Sequence, residues 1–179
     1  MTKMDMKEAI GFPEGVSATV EDGLLTINGE KGELKRDIFH PKIKASVSGN
    51  QLVVEAVKGT QSEKKMIFTL LAHAKNMIKG VTEGITYKLK ICASHFPMSV
   101  TYKDNKLEVK NFIGEKTSRI LSISPEVEVK VEGDVINLSG TSKELVGQTA
   151  GSIEKLTKRT GFDKRIFQDG IYITKKAKR

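Results

Sequence analysis

Apolar and polar residues alternate along several short segments of this chain. The clearest example is 127–132, Val-Glu-Val-Lys-Val-Glu, in which every second residue is apolar. Such alternation predicts antiparallel strands with one face buried and the other in water. Two more strand pairs are predicted, 16–20 with 24–27 and 42–48 with 51–55. The segments that connect the strands of each pair contain Asp-Gly and Gly-Asn, which suit tight turns.

Two other segments have the period of an amphipathic helix. Their apolar sets are Met66, Ile67, Leu70, Leu71, Ala74, Met77 and Ile78 in the first, and Leu145, Val146, Ala150, Ile153 and Leu156 in the second. Each set falls on one helical face, which is more often part of a core than of a ligand site. Thr60 with Glu63, and Thr141 with Glu144, have the spacing of a capping box, so we expect the helices to begin there.

These elements form two copies of one pattern, displaced by about 82 residues. Thr19, Asp22, Leu25, Ile27 and Gly32 correspond in order to Thr101, Asp104, Leu107, Val109 and Gly114. A strand pair, a helix and a closing strand, 85–91 or 171–174, then follow in each copy. One helix against an antiparallel sheet predicts the α+β class. We therefore predict two tandem α+β domains, residues 1–95 (structured over about 12–93) and 96–179.

The chain carries a net charge of +8, which favours an anionic partner. Nucleic acid is the common partner of such a protein, and a membrane surface or simple solubility are the alternatives. Nine basic but only two acidic residues lie within 155–179, so the excess is concentrated at the C-terminal end. Phosphate backbones attract a patch of this kind. No apolar run approaches the ~18 residues of a membrane-spanning helix, and the N-terminus lacks a secretory signal, so we expect a cytoplasmic protein.

The basic and hydroxyl groups of the C-terminal half are the candidate RNA contacts. Lys155, Lys158 and Arg159 have the spacing of one helical face. The segment 114–119 is not a phosphate-binding P-loop, because Glu115 separates its glycine from its lysine, but its side chains can still bind phosphate. The candidates are Lys116, Thr117, Ser118, Arg119, Lys155, Lys158, Arg159, Lys164, Arg165, Lys175, Lys176, Lys178 and Arg179. A solvated basic tail is the alternative reading.

Aromatic residues make up 6% of the chain, so we expect recognition of RNA shape and phosphates rather than stacking of bases on exposed rings. Three scattered histidines (His40, His73 and His95) and a lone Cys92 offer no metal-binding spacing and no nucleophile motif. We predict no catalytic residue, no cofactor, no metal and no small-molecule substrate. The chain is predicted not to be an enzyme.

Several strings resemble the archaeal and eukaryotic branch of the sixth large-subunit ribosomal protein family. The most specific are Arg-Ile-Phe-Gln-Asp-Gly-Ile-Tyr at 165–172 and Asn-Met-Ile-Lys-Gly-Val at 76–81, with further matches at 95–97 and 111–116. The Tyr-Lys-Gly-Lys-Gly segment typical of the bacterial branch is absent. The chain also lacks the insertions typical of eukaryotic members, which favours an archaeal source.

The resemblance implies a structural, RNA-binding protein of the large ribosomal subunit. It implies binding to large-subunit ribosomal RNA near the sarcin–ricin loop and the stalk base, with stalk-base ribosomal proteins and translation factors nearby. It also assigns most RNA contact to the C-terminal domain and adds Lys143 to the candidates by position. A protein–protein adaptor with a generic basic tail is the alternative function, whereas a membrane-surface protein is disfavoured because the basic segment lacks exposed aromatic anchors.

Overall fold

The computed structural model of the chain describes residues 4–163 and 165–177. The chain divides after Gly84 into two compact units. The first contains strands β1 (Met4–Gly11), β2 (Ser17–Glu21), β3 (Leu24–Gly29), β4 (Gly32–Asp37), β5 (Lys44–Ser48) and β6 (Gln51–Gly59), and helix α1 (Gln61–Thr82). The second contains β7 (Ile85–Cys92), β8 (Ser99–Lys103), β9 (Lys106–Lys110), β10 (Arg119–Ser122), β11 (Glu128–Glu132), β12 (Val135–Gly140), α2 (Lys143–Leu156) and β13 (Gly170–Lys175), with a 3₁₀ turn at Phe112–Gly114.

The first unit packs α1 against two three-stranded antiparallel sheets, ordered β1-β6-β5 and β2-β3-β4. Apolar residues of the helix face, such as Ile67 and Ala74, share one core with Ile27 and Val54. The predicted capping box starts α1, because the Thr60 amide donates to Glu63 Oε2 at 2.7 Å and the Thr60 hydroxyl bonds the same carboxylate. Hydrogen bonds from the Thr60 side chain and amide lower the pKa of Glu63 to about 2.

The second unit repeats this plan with one additional strand. Its sheets are ordered β10-β9-β8 and β11-β12-β7-β13, and α2 packs on β7, β12 and β13. The core contains Leu89, Ile136, Ile153 and Ile171, all fully buried. The predicted class, two tandem α+β domains that arose by duplication of one pattern, is confirmed.

The structure corrects the predicted domain boundary at 95. The strand β7 opens the second unit instead of closing the first, since Leu89 pairs with Ile136 in β12 and Ile91 pairs with Ile171 in β13. Its counterpart in the first unit is β1, which precedes the predicted structured region and pairs with β6. Strand pairing shows which domain β7 belongs to, because a strand that follows a helix in sequence need not pair with the sheet against which that helix packs.

The start of α2 also differs from the prediction. Its N-cap is Ser142 and not Thr141, and the Ser142 hydroxyl accepts a hydrogen bond from the Leu145 amide at 3.4 Å. Both residues can cap a helix, and the spacing rule alone could not choose between neighbouring hydroxyls. The helix also ends earlier than the basic pattern suggests, at Leu156.

Candidate nucleic-acid interface

The second unit contains an open groove of about 590 Å³ between the end of α2 and β13. We call it the α2–β13 groove. Its lining combines basic residues with aromatic rings: Ile113, Gly151, Glu154, Lys155, Thr157, Lys158, Arg159, Phe162, Phe167, Asp169 and Tyr172. Three of the predicted RNA contacts, Lys155, Lys158 and Arg159, therefore line one concave surface.

These three residues do not share a helical face, so that part of the prediction is wrong. The helix stops at Leu156 because Thr157, which is buried, leaves the helical conformation. The Thr157 hydroxyl accepts a hydrogen bond from the Ile171 amide at 2.9 Å and thereby ties the helix end to β13. Lys158 then closes a tight turn through its amide, which donates to the Lys155 carbonyl at 3.1 Å. The last turn of the helix therefore carries Lys155 to the groove, and the turn that follows it carries Lys158 and Arg159.

Lys155 and Lys158 are exposed and form no ion pair within the described part of the chain. Arg159 is held more firmly. Its Nη1 lies 3.2 Å from Glu115 Oε1, and its guanidinium lies 4.8 Å from the centre of the Phe162 ring. Among the residues that the structure describes, the two lysines are therefore the groove cations without an ion-pair partner, whereas Arg159 is fixed in position.

Arg119 serves the structure of the second unit. Its Nε and Nη2 donate to the two oxygens of Glu115 at 2.8 and 2.6 Å, and its Nη1 donates to the Leu156 carbonyl at 2.5 Å. The guanidinium also lies 4.4 Å from the ring centre of Phe112. Arg119 thus joins β10 to the last carbonyl group of α2, that of Leu156. The hydrogen bond and charge of Arg119, with the charge of Arg159, keep the pKa of Glu115 below its usual value.

The other sequence candidates lie outside the groove lining. Lys116 and Thr117 are exposed, Ser118 is half-buried and bonds Glu108, and Lys143 is the first residue of α2. Arg165 pairs with Asp163 at 2.8 Å, and its side chain is 90% exposed. Lys175 ends β13 and Lys176 follows it, both exposed. Three candidates, Lys164, Lys178 and Arg179, lie outside the described residues.

The buried carboxylate of Asp169, which the sequence analysis did not single out, organises the far side of the groove. Asp169 Oδ1 accepts hydrogen bonds from the amides of Ser94 at 2.6 Å and His95 at 3.0 Å, and Oδ2 contacts His95 Nδ1 at 2.7 Å. Burial alone would raise the pKa of Asp169, but the bonds from His95 and Ser94 lower it below its usual value. No local spacing rule joins residues this far apart in sequence.

The aromatic lining was also missed, because low aromatic content says nothing about clustering. The Phe167 ring lies 4.6 Å from the His95 ring and 5.0 Å from the Phe162 ring, which meets it edge-on. Phe162 and Tyr172 each leave more than a third of their surface exposed. The described residues contain no cluster of His, Cys, Asp and Glu that could hold a metal ion. No helix in the same part of the chain has the length and apolar content needed to cross a membrane.

Comparison with known proteins identifies relatives over nearly the whole chain. The family model for ribosomal protein L6 matches residues 12–84 and again 96–170, once in each copy. The large ribosomal subunit protein uL6 of Methanosarcina mazei is 44% identical over 97% of this chain and 98% of its own length. The uL6 proteins of Ignicoccus hospitalis and Methanococcus vannielii are also 44% identical, over 92% and 96% of this chain and 91% and 94% of theirs. All three organisms are archaea.

Proposed function

The chain belongs to the ribosomal protein L6 family, and on that premise we propose that it binds large-subunit ribosomal RNA through the α2–β13 groove. Membership makes it a structural constituent of the large ribosomal subunit and not an enzyme. The single observation that carries the choice of surface is the pair Lys155 and Lys158. Both are exposed, neither forms an ion pair with a carboxylate among the described residues, and both line one concavity.

The chemistry of this surface suits a phosphate backbone. A lysine ammonium acts as a compact point charge that can follow different phosphate positions, whereas an arginine fork needs a defined geometry. Arg159 has that defined geometry, because Glu115 and the Phe162 ring hold its guanidinium. In the proposed complex, the lysines neutralise phosphates and Arg159 fixes the register of the backbone along the groove.

The family resemblance supports a proposal for the location of the protein within the subunit. We propose that the bound RNA is the sarcin–ricin region beside the stalk base, with stalk-base ribosomal proteins and translation factors as neighbours. The concentration of positive charge in 155–179 supports RNA over a protein partner, because an adaptor interface needs no such excess.

The test is a salt titration of binding to an RNA fragment that contains the sarcin–ricin region, beside an unrelated RNA duplex. About four or five contacted phosphates would give a slope of log affinity against log salt of roughly −3 to −4. The Lys155→Ala/Lys158→Ala variant removes two of these contacts and should make the slope less steep by about 1.4 to 1.8. The matched control is Lys64→Ala/Lys65→Ala, which removes the same charge from exposed positions of α1.

Preference for the sarcin–ricin fragment, with a slope changed by the groove variant but not by the control, supports the proposal. Equal slopes for the two variants would mean that only the total charge matters. That result, or equal affinity for both RNAs, would refute the groove as the specific interface and favour the adaptor function.

A further inference from the structure

The α2–β13 groove is more aromatic than a phosphate-binding surface requires. We propose that it also accepts one unpaired nucleobase of the RNA, stacked on the ring of Tyr172, while Lys155 and Lys158 hold the adjoining phosphates. This inference rests on the proposed function and adds base stacking as a mode of recognition. The low aromatic content of the whole chain did not predict base stacking. It assigns the groove to a looped-out or single-stranded nucleotide, since a base inside a continuous helix cannot enter a concave pocket.

The distribution of aromatic residues is the first observation behind this inference. The chain contains three tyrosines, seven phenylalanines and no tryptophan, yet Phe162, Phe167 and Tyr172 line the same groove. A volume of about 590 Å³ is within the range of roughly 300–1,000 Å³ that is usual for pockets that bind small organic groups. Lysine side chains alone would bind phosphate on an open polar surface, so the rings point to an additional, flat and apolar ligand group.

The environment of each ring identifies the stacking partner. Phe162 meets Phe167 at 81° and is covered by the Arg159 guanidinium, while Phe167 lies against the His95 ring. Tyr172 is 38% exposed and has no ring or guanidinium partner within residues 4–163 and 165–177. Its ring is therefore the one available for stacking.

The backbone supports Tyr172 from one side. A Cβ atom at Gly170 would lie 3.3 Å from the Tyr172 hydroxyl and 3.4 Å from Cε2, so the ring rests against this glycine. Gly170 also has a φ of +151°, which side-chain-bearing residues rarely adopt. The glycine thus lets the ring lie close to the chain at the start of β13, and a supported ring loses little freedom when a base stacks on it.

A polar group next to the ring can read the edge of the base. Glu154 lines the same groove, and its Oε1 accepts a hydrogen bond from the Ile173 amide at 3.3 Å. No hydrogen bond to Oε2 occurs among the described residues. That oxygen can accept from an amino or imino group, so a base with such donors on its exposed edge suits the site.

The decisive variant is Tyr172→Ala, measured by the same salt titration with the sarcin–ricin fragment. Loss of one base–aromatic stack should weaken binding roughly 5- to 150-fold, the range that corresponds to about 1–3 kcal/mol. The salt slope should stay at the wild-type value, because no charge is removed. Tyr172→Phe, which keeps the ring, should retain wild-type affinity. Phe68→Ala in α1, where the ring is 49% exposed, is the matched control and should also bind normally.

A second variant reports the stacking directly. Because the chain has no tryptophan, Tyr172→Trp places a unique fluorophore in the groove. We expect its emission to be quenched by an RNA with an unpaired loop and unchanged by a fully paired duplex. Equal quenching by both RNAs, or wild-type affinity for Tyr172→Ala, would overturn the inference. If Tyr172→Ala binds normally while the lysine double variant still changes the slope, only the base pocket fails and the proposed RNA-binding function stands.

Discussion

Replacing Asp169 by alanine should destabilise the second unit more than any exposed acidic substitution. The Asp169 side chain is 4% exposed and accepts hydrogen bonds from two amides, of Ser94 and His95, and one contact from the His95 ring. These bonds hold the segment after β7 against the residue that precedes β13. Alanine removes all three acceptor contacts at once and leaves the two amides without their partner.

The expected loss in the free energy of unfolding follows from the number of these hydrogen bonds and the exposure of their donors. A hydrogen bond to a charged group contributes about 1.5–3 kcal/mol, so three independent bonds would give a sum well above the usual effect of one mutation. Ser94 and His95 are exposed, however, and water can replace the lost carboxylate at their amides. We therefore expect a loss of about 2–4 kcal/mol for Asp169→Ala. Asp169→Asn, which keeps one acceptor oxygen, should lose about half as much.

The assay is urea unfolding followed by NMR signals of core methyl groups. Ile136 reports on the second unit, and Ile27 serves as an internal reference in the first. Only the Ile136 transition should move to lower urea. A shift that corresponds to less than about 1 kcal/mol would refute the reasoning, because it would mean that the buried carboxylate contributes no more than an average neutral hydrogen bond.

The same carboxylate gives a pH dependence with a definite sign. Its native pKa lies below the ordinary value of 3.8, so its ionised form is favoured by folding. The stability it supplies is fully present above pH 3.8 and is lost as the pH falls through the lower native pKa. The difference in stability between the wild type and Asp169→Asn should therefore shrink as the pH falls below 3.8. A stability difference between the two proteins that grows as the pH falls would contradict the conclusion that folding favours the ionised form of Asp169.

Two further predictions concern other ion-paired residues. In the first unit, hydrogen bonds from Thr60 lower the pKa of Glu63 from 4.5 to about 2. The ionised Glu63 carboxylate therefore stabilises the wild type, which loses this contribution only as the pH falls from 4.5 towards 2. Glu63→Gln lacks the contribution at every pH. Acid unfolding monitored at Ile27 should therefore show a stability that depends less on pH in the variant than in the wild type. In the second unit, Arg119→Ala should cost about 2 kcal/mol, between the values for exposed and buried pairs. It should leave the salt slope of RNA binding unchanged, whereas a slope reduced by about 0.9 would show that Arg119 contacts a phosphate.

Periodicity was sufficient to predict the elements that carry strong local patterns. The capping box at Thr60, the alternation at 127–132 and the apolar faces of both helices all depend on residues close in sequence, and each is present in the structure. The duplication was visible because turn residues and apolar residues recur together in order. Local patterns could not predict the pairing of β7, because both strands that pair with it, β12 and β13, lie many residues away in sequence.

The groove was only partly predictable for the same reason. Its lysines were found through the charge excess of 155–179, but their arrangement depends on where α2 ends. Thr157 sets that end through a hydrogen bond to Ile171, a contact between two elements that no helical period encodes. The bond of Arg119 to Leu156, and those of Asp169 to Ser94 and His95, likewise join residues that are distant in sequence, so no local pattern predicts them.

The difference between the two copies explains why the proposed site lies in only one of them. Both units have an opening strand, a three-stranded sheet, a hairpin and a helix, but the first unit ends just after α1, at Gly84. The second continues into β13, which supplies Tyr172 and is tied to α2 through Thr157. The groove exists because a strand returns along the helix end, and within the described residues the first copy has no such strand. Duplication thus supplied the scaffold, and the added C-terminal strand completes the concave surface whose basic residues come from the end of α2 and the turn after it. Through that surface we propose that the protein binds RNA.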